Sequence, residues 1–156
     1  MKILVTGGAG FIGSHVCEAL ANRGDNVVCV DDFNDYYEPK VKENNIKELI
    51  KNSKFKLYRA DIRDFNALNS VFEKEAFDKV IHLAARAGVR PSIKDPLLYE
   101  EVNVQGTINL LELSRKYNVK NFVFGSSSSN ISFISSYISS CSHAVYNFVL
   151  NSPSLG

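Results

Sequence analysis

The sequence predicts an α/β fold in which a parallel sheet carries helices on both faces. Three observations predict it: short apolar runs with the composition of buried strands, intervening stretches whose apolar residues recur every three or four positions, and a glycine triplet between the first run and the first helix. The chain has 156 residues, a length that one hydrophobic core can serve.

Residues 2–6 (KILVT) are the first run, an apolar strand closed by glycines. From Phe11 to Leu20 the residues Ile12, Val16, Ala19 and Leu20 repeat at helical intervals, and Gly24 ends that helix as a glycine beyond the last turn does. Residues 27–30 (VVCV) make a second strand that closes at Asp31, residues 55–60 a third and residues 79–84 (KVIHLA) a fourth, with helices expected over 43–51 and 66–74. A longer helix over about 98–117 carries Val102, Leu110, Leu111 and Leu113, ends in Arg115 and Lys116, and leads to a fifth strand at 121–125 (NFVFG). This alternation is that of a doubly wound, Rossmann-type sheet, here truncated after the fifth strand.

Gly7, Gly10 and Gly13 in TGGAGFIG (6–13) stand where a strand turns into a helix, the context that makes such a triplet informative. Gly7 suits a tight turn, Gly10 leaves room for a pyrophosphate, Gly13 lets the helix pack closely, and the helix start at Phe11 and Ile12 presents N–H groups to phosphate oxygens. Asp31 follows Gly13 by 18 residues, where a carboxylate can accept the ribose hydroxyls of an adenosine and repel a 2′-phosphate, with Asp32 beside it to share that role. The cofactor expected from these residues is NAD rather than NADP.

The composition argues against other classes. With 45% hydrophobic and 22% charged residues and a formal net charge of +1, the chain offers no basic surface for nucleic acid or an anionic membrane. Cys17 and Cys29 fall inside apolar patterns and Cys141 stands alone, so no metal site and no disulfide framework is expected. No signal sequence precedes the first strand, and a cytoplasmic protein is expected.

TGGAGFIGSH (6–15), DDFNDYY (31–37), ADIRD (60–64), HLAARAGVRPS (82–92), NVQGTINLLE (103–112) and FVFGSSSS (122–129) resemble the extended short-chain dehydrogenase/reductase family. Within it they are most similar to the nucleotide-sugar epimerases, the UDP-glucuronate 4-epimerase group in particular. The resemblance implies NAD in a Rossmann domain and a UDP-sugar held by a C-terminal domain. By position it implies Asp61 and Ile62 beside the adenine, Leu83, Ala84 and Ala85 along the pyrophosphate and nicotinamide ribose, and Asn103 in support of the site. It also implies Ser127 on the sugar hydroxyl that is oxidised, with Ser128 next to it. Without the resemblance, Asp61 is equally a strand-end carboxylate able to cap the next helix. Arg90, like Arg86, suits an anionic sugar or phosphate but equally a solvated surface.

The resemblance stops near residue 129, which divides the chain into a nucleotide-binding domain over 1–129, incomplete by the family's standard, and a tail over 130–156. All 18 Lys and Arg and all 17 Asp and Glu lie at or before Lys120, and the tail holds eight serines. Where the family continues with Val-Tyr-Gly, this chain has Asn130, Ile131 and Ser132, and the family's later Tyr-x-x-x-Lys has no counterpart: Tyr137 precedes Cys141 by four residues and Tyr146 precedes Leu150. At a phenol pKa of about 10, only about a thousandth of either tyrosine would be ionised at pH 7. A shifted frame or aberrant splice, a natural truncated protein, and a fused segment are the three origins such a tail admits.

Ile131, Ile134, Ile138, Cys141, Val145 and Phe148 repeat at helical spacing and could cover the fifth strand. The uncharged stretch 131–150 contains eight Ser, His or Asn residues and no basic flank follows it, so no membrane span is expected. The functional expectation is the NAD-binding portion of a UDP-hexuronate 4-epimerase, catalytically incomplete alone. Its alternative is a non-enzymatic NAD-binding module that recruits a protein through the tail or the open sheet edge.

Overall fold

Alternate side chains of strand β1 (Lys2–Thr6) divide the interior in two, because successive residues of a strand point to opposite faces. Ile3 and Val5 enter one apolar cluster and Leu4 the other. The computed structural model describes residues 1–36, 38–126 and 145–150.

On the Ile3 side lies helix α1 (Phe11–Arg23), which brings Cys17, Leu20 and Ala21 onto the sheet. Gly24 ends it in the left-handed conformation, φ 99°, as expected. Helix α2 (Pro39–Asn45) and a 3-10 turn (Leu49–Lys51) occupy the stretch expected as one helix over 43–51; Pro39 starts the helix early, and Ile46 and Leu49 anchor the segment to this face.

On the Leu4 side, α3 (Phe65–Glu75) contributes Leu68, Val71 and Phe72, and α6 (Gly106–Lys116) contributes Leu110, Leu111 and Leu113. Asp64 caps α3 by accepting from the Ala67 N–H at 3.0 Å. Full burial of Phe72 alone stabilises the domain by about 1.5–3 kcal/mol. Ahead of α6, the expected single helix is built in pieces. A short helix α4 (Val89–Lys94) was not anticipated, α5 (Pro96–Glu100) starts at an Asp95-Pro96 cap, and a wide π-helical turn (Glu101–Gln105) joins it to α6.

The remaining strands are β2 (Asn26–Asp31), β3 (Phe55–Arg59), β4 (Lys79–His82), β5 (Asn121–Ser126) and β6 (Val145–Leu150). All pair in parallel in the order β3-β2-β1-β4-β5-β6. The chain is thus the Rossmann-type fold the sequence predicts, with the order reversing between β1 and β4, where such sheets open a crevice at their carboxyl edge.

Among the described residues the sheet holds one strand more than the five expected. β6 pairs with β5 from Asn121↔Val145 to Ser126↔Leu150. The helical spacing that takes in Val145 and Phe148 gives way there to β-branched and aromatic residues, which favour strand. Ser127, Ser128, Tyr37, Tyr137 and Cys141 lie outside the described residues. Among the described residues no helix is long and apolar enough to cross a membrane, and no group of His, Cys, Asp and Glu could hold a metal ion.

Candidate functional site

The glycine turn closes over the carboxyl end of β1. The Gly7 N–H donates to the Val30 carbonyl at 2.8 Å and the Gly10 N–H to the Gly7 carbonyl at 3.1 Å. Gly7 has φ 69°, and a Cβ there would stand 2.8 Å from the Ala84 backbone. Gly13 is held to glycine by space: its Cβ would lie 2.1 Å from the Gly7 oxygen. The close packing expected of Gly13 is therefore against the turn itself. Gly10, at φ −69° and ψ 172°, has a backbone any residue can adopt, yet it borders the cleft. Its small size keeps space open in front of the turn. Beneath the turn sit the buried thiols of Cys17 and Cys29; the neighbouring Cys17 and burial push the Cys29 thiol far up.

Gly7, Gly10, Asp31, Asp32, Ile62, Leu83, Ala84 and Ala85 all line one cleft, together with Asn34, Tyr36, Lys42 and Arg86. Phe11 and Ile12 are exposed at the start of α1, 73% and 60%, beside that cleft without lining it. Asp61, Asn103 and Arg90 also stand off it. Arg90 is exposed on α4.

Asp31 is nearly enclosed. One carboxylate oxygen accepts from the Ala9 N–H at 3.1 Å, and the other from the Phe33 N–H at 3.0 Å and the Lys42 ammonium at 2.8 Å. A carboxylate offers about four lone-pair directions, so Asp31 has room for about one more donor. Asp32 is more open, 30% exposed against 2% for the Asp31 side chain, and lies 3.6 Å from the same ammonium. Lys42 was not singled out in the sequence. In a helix rich in Lys, Glu and Asn it reads as a solvated charge, and only the partners at the end of β2 reveal its burial.

Asp61 is occupied locally. Burial pushes its carboxyl up, but the Arg63 guanidinium and N–H outweigh this and hold it below the usual range. Ile62 carries that loop into the cleft.

The loop after β4 is tied at several points. Asn103 grips Arg86 twice, accepting from its N–H at 2.8 Å and donating to its carbonyl at 3.0 Å. Tyr36 and Tyr99 both donate to the Ala87 carbonyl at 2.7 Å. Behind the loop runs a buried polar chain. The Thr107 hydroxyl donates to the Asn103 carbonyl at 2.6 Å and faces His82 Nε2 at 2.9 Å, and His82 Nδ1 lies 2.6 Å from the Thr6 hydroxyl. With its hydrogen on the Asn103 carbonyl, Thr107 can only accept from His82, which places the imidazole hydrogen on Nε2 and leaves Nδ1 to accept from Thr6. Burial pushes the His82 imidazole down to about 3.

The site is thus a turn opening on a helix start, two carboxylates across from it, and a loop after β4 held to the turn that leads into α6. The sequence pattern of the GDP-mannose 4,6 dehydratase family matches residues 4–133. The chain belongs to that family. The similarity to the short-chain dehydrogenase/reductase type read from the motifs holds, and the epimerase resemblance is met among the relatives. The UDP-glucuronate 4-epimerase of Thermodesulfobacterium geofontis (strain OPF15) is 48% identical over 126 residues, which are 81% of this chain and 39% of that protein. The crystal structure of the Bacillus cereus UDP-glucuronic acid 4-epimerase, in complex with UDP-glucuronic acid and NAD, is 42% identical with a TM-score of 0.74 over 83% of this chain and 41% of that one. The Thermus thermophilus UDP-glucose 4-epimerase complex with NAD is 39% identical with a TM-score of 0.71, over 81% and 38%. The chain spans about two fifths of the length of these family relatives.

Proposed function

We propose that this chain is the NAD-binding portion of a UDP-hexuronate 4-epimerase. The observation that carries the reading is Gly10, whose backbone does not require glycine and whose small size opens the cleft between the start of α1 and the carboxylates at the end of β2. Gly7 and Gly10 would leave room for the pyrophosphate, and the N–H groups of Phe11, Ile12 and Gly13 would hold it where the helix end favours negative charge. Asp31 accepts one adenosine ribose hydroxyl and Asp32 supports the second, consistent with the single place left on Asp31. The pair of carboxylates outweighs the one ammonium of Lys42 and disfavours the 2′-phosphate of NADP.

Ile62 would bound the adenine, with Asp61 tying its loop through Arg63; Leu83, Ala84 and Ala85 would line the pyrophosphate and nicotinamide ribose, and Asn103 holds the loop that carries them. NAD supplies the acceptor and donor of the hydride exchanged at the sugar. Ser127 and Ser128 take the sugar hydroxyl, and Arg90 meets its anionic part. With no Tyr-x-x-x-Lys after the serine run to remove the hydroxyl proton, the chain alone binds cofactor without turnover. A cytoplasmic setting accords with the free thiols of Cys17 and Cys29.

Calorimetry with NAD on the purified chain tests the proposal. Binding is expected in the wild type and absent in Gly10→Val, with the melting temperature unchanged because φ −69° accepts valine. No heat at millimolar NAD in the wild type would sink it. A second reading, a non-enzymatic module that captures a protein partner, draws on β6, an uncharged strand that ends the sheet among the described residues.

A further inference from the structure

We propose that Asn109, a buried amide of α6 outside the cleft, is the positioning residue of the adenosine-side wall. The inference rests on the NAD reading above. A pyrophosphate at the Gly7–Gly10 turn and a ribose at the end of β2 direct the adenosine half toward β2 and β3, and the wall on that side is the loop after β3 that carries Ile62. Beyond Ala60, whose N–H donates to the Asp31 carbonyl, no strand hydrogen bond holds this loop among the described residues. Its carbonyls at Ile62 and Arg63 both accept from the Asn109 amide nitrogen, each at 3.0 Å. Carbonyls only accept, so the amide must present its NH2 group there, and its oxygen is fixed in turn by the Gln105 amide, which donates at 3.0 Å.

The contact is closed by packing. Ile62 lies so near Gly106 that a Cβ on that glycine would stand 2.5 Å from the Ile62 Cδ1. A larger residue at 106 would push Ile62 into the cleft. One helical segment therefore sets both walls: Asn103, in the π-helical turn, holds the loop after β4 by Arg86, and Asn109, in α6, holds the loop after β3 by Ile62 and Arg63. Asn109 touches no cofactor atom; it fixes the surface that does.

The two clamps give a test with opposite outcomes. AMP carries only the adenosine half, so Asn109→Ala is expected to weaken AMP and NAD alike, by about tenfold for the two lost hydrogen bonds, in calorimetry on the full chain. Asn103→Ala is expected to weaken NAD and leave AMP unchanged. Gln105→Ala, an exposed change that only frees the Asn109 amide to rotate, should act as Asn109→Ala does in smaller measure, and it serves if Asn109→Ala does not fold. Amide hydrogen exchange over residues 61–64, without ligand, should rise in Asn109→Ala and Gln105→Ala while β1 and β2 stay protected. Unchanged exchange, or wild-type affinity for AMP in both variants, overturns the inference. A wild type that binds no NAD instead overturns the cofactor reading, and the exchange measurement still decides the clamp.

Discussion

At the amino ends of the strands, polar side chains bind one another. Glu75, at the end of α3, accepts from Tyr58 at 2.6 Å and pairs with Lys56 at 2.5 Å and Lys2 at 3.0 Å, while Asp25 pairs with the terminal amine at 3.0 Å. At the carboxyl ends, beside pairs such as Asp31 with Lys42, they also reach out to loop backbone: Asp31 takes the N–H groups of Ala9 and Phe33, Asn103 takes Arg86, Asn109 takes Ile62 and Arg63, and two tyrosines take Ala87. Left-handed residues divide the same way. Gly24, Ala76 and Asn118 lie at helix ends that lead into strands, whereas Gly7, Phe33 and Gly88 lie in the loops about the cleft. One end neutralises its charges and closes. The other uses similar groups to hold loops apart around a space, which is what a binding site requires.

The largest expected effect breaks the carboxyl end at its turn. In Gly13→Ala the new methyl meets the Gly7 oxygen at 2.1 Å and the Gly8 Cα at 2.8 Å, both backbone atoms with no rotamer to change. A loss of about 3 kcal/mol or more is expected in urea unfolding, at the upper end of what overpacking costs. A variant as stable as the wild type would show that the turn yields, and the contrast with Gly10→Val would disappear.

A smaller effect tests the buried chain behind the cleft. His82→Leu leaves the Thr6 and Thr107 hydroxyls without the imidazole and should cost about 2–4 kcal/mol at pH 7. The sign of its pH dependence follows from the lowered imidazole pKa. Between about 6.5 and about 3 the unfolded chain binds a proton that folded His82 does not, so acidification destabilises the wild type through this group. The leucine variant lacks that slope. The gap between the two melting temperatures should therefore narrow as pH falls from 7 to 5, and a constant gap would mean that His82 is not held neutral.

The motifs made the carboxyl end partly legible. Apolar runs and a glycine triplet announce strands and a turn because burial on both faces and backbone space leave few other residue choices. Asp31 could be named for the same reason, but its near saturation could not, since that depends on Lys42, an ordinary surface residue by composition until α2 folds back over β2. Asn109 sits among leucines in NLLELS and is silent in any periodicity, because its partners are carbonyls 46 and 47 positions away. The π-helical turn and α4 escaped for a different reason: width of helix and a single turn after a glycine are decided by packing, with no residue type that marks them. The strand at β6 was hidden by its spacing, which satisfies a helical face as well as an extended one.

The smallest effect belongs to the amino end. Burial pushes the Glu75 carboxyl up, but the hydrogen bonds from Lys56, Tyr58 and Lys2 outweigh this and bring it down to about 2. A carboxyl lowered on folding contributes stability that is complete above its ordinary value of 4.5 and is lost as pH falls toward 2. In Glu75→Gln both ammonium groups can turn to water, being 35% and 59% exposed, so the cost at pH 7 should be only about 1–2 kcal/mol. The variant should melt below the wild type at pH 7, approach it below pH 4, and bind NAD with unchanged affinity, since no bond of Glu75 reaches a loop at the carboxyl end. Loss of NAD affinity in this variant would show that the two ends are coupled through the strands, and the division of labour between them would fall.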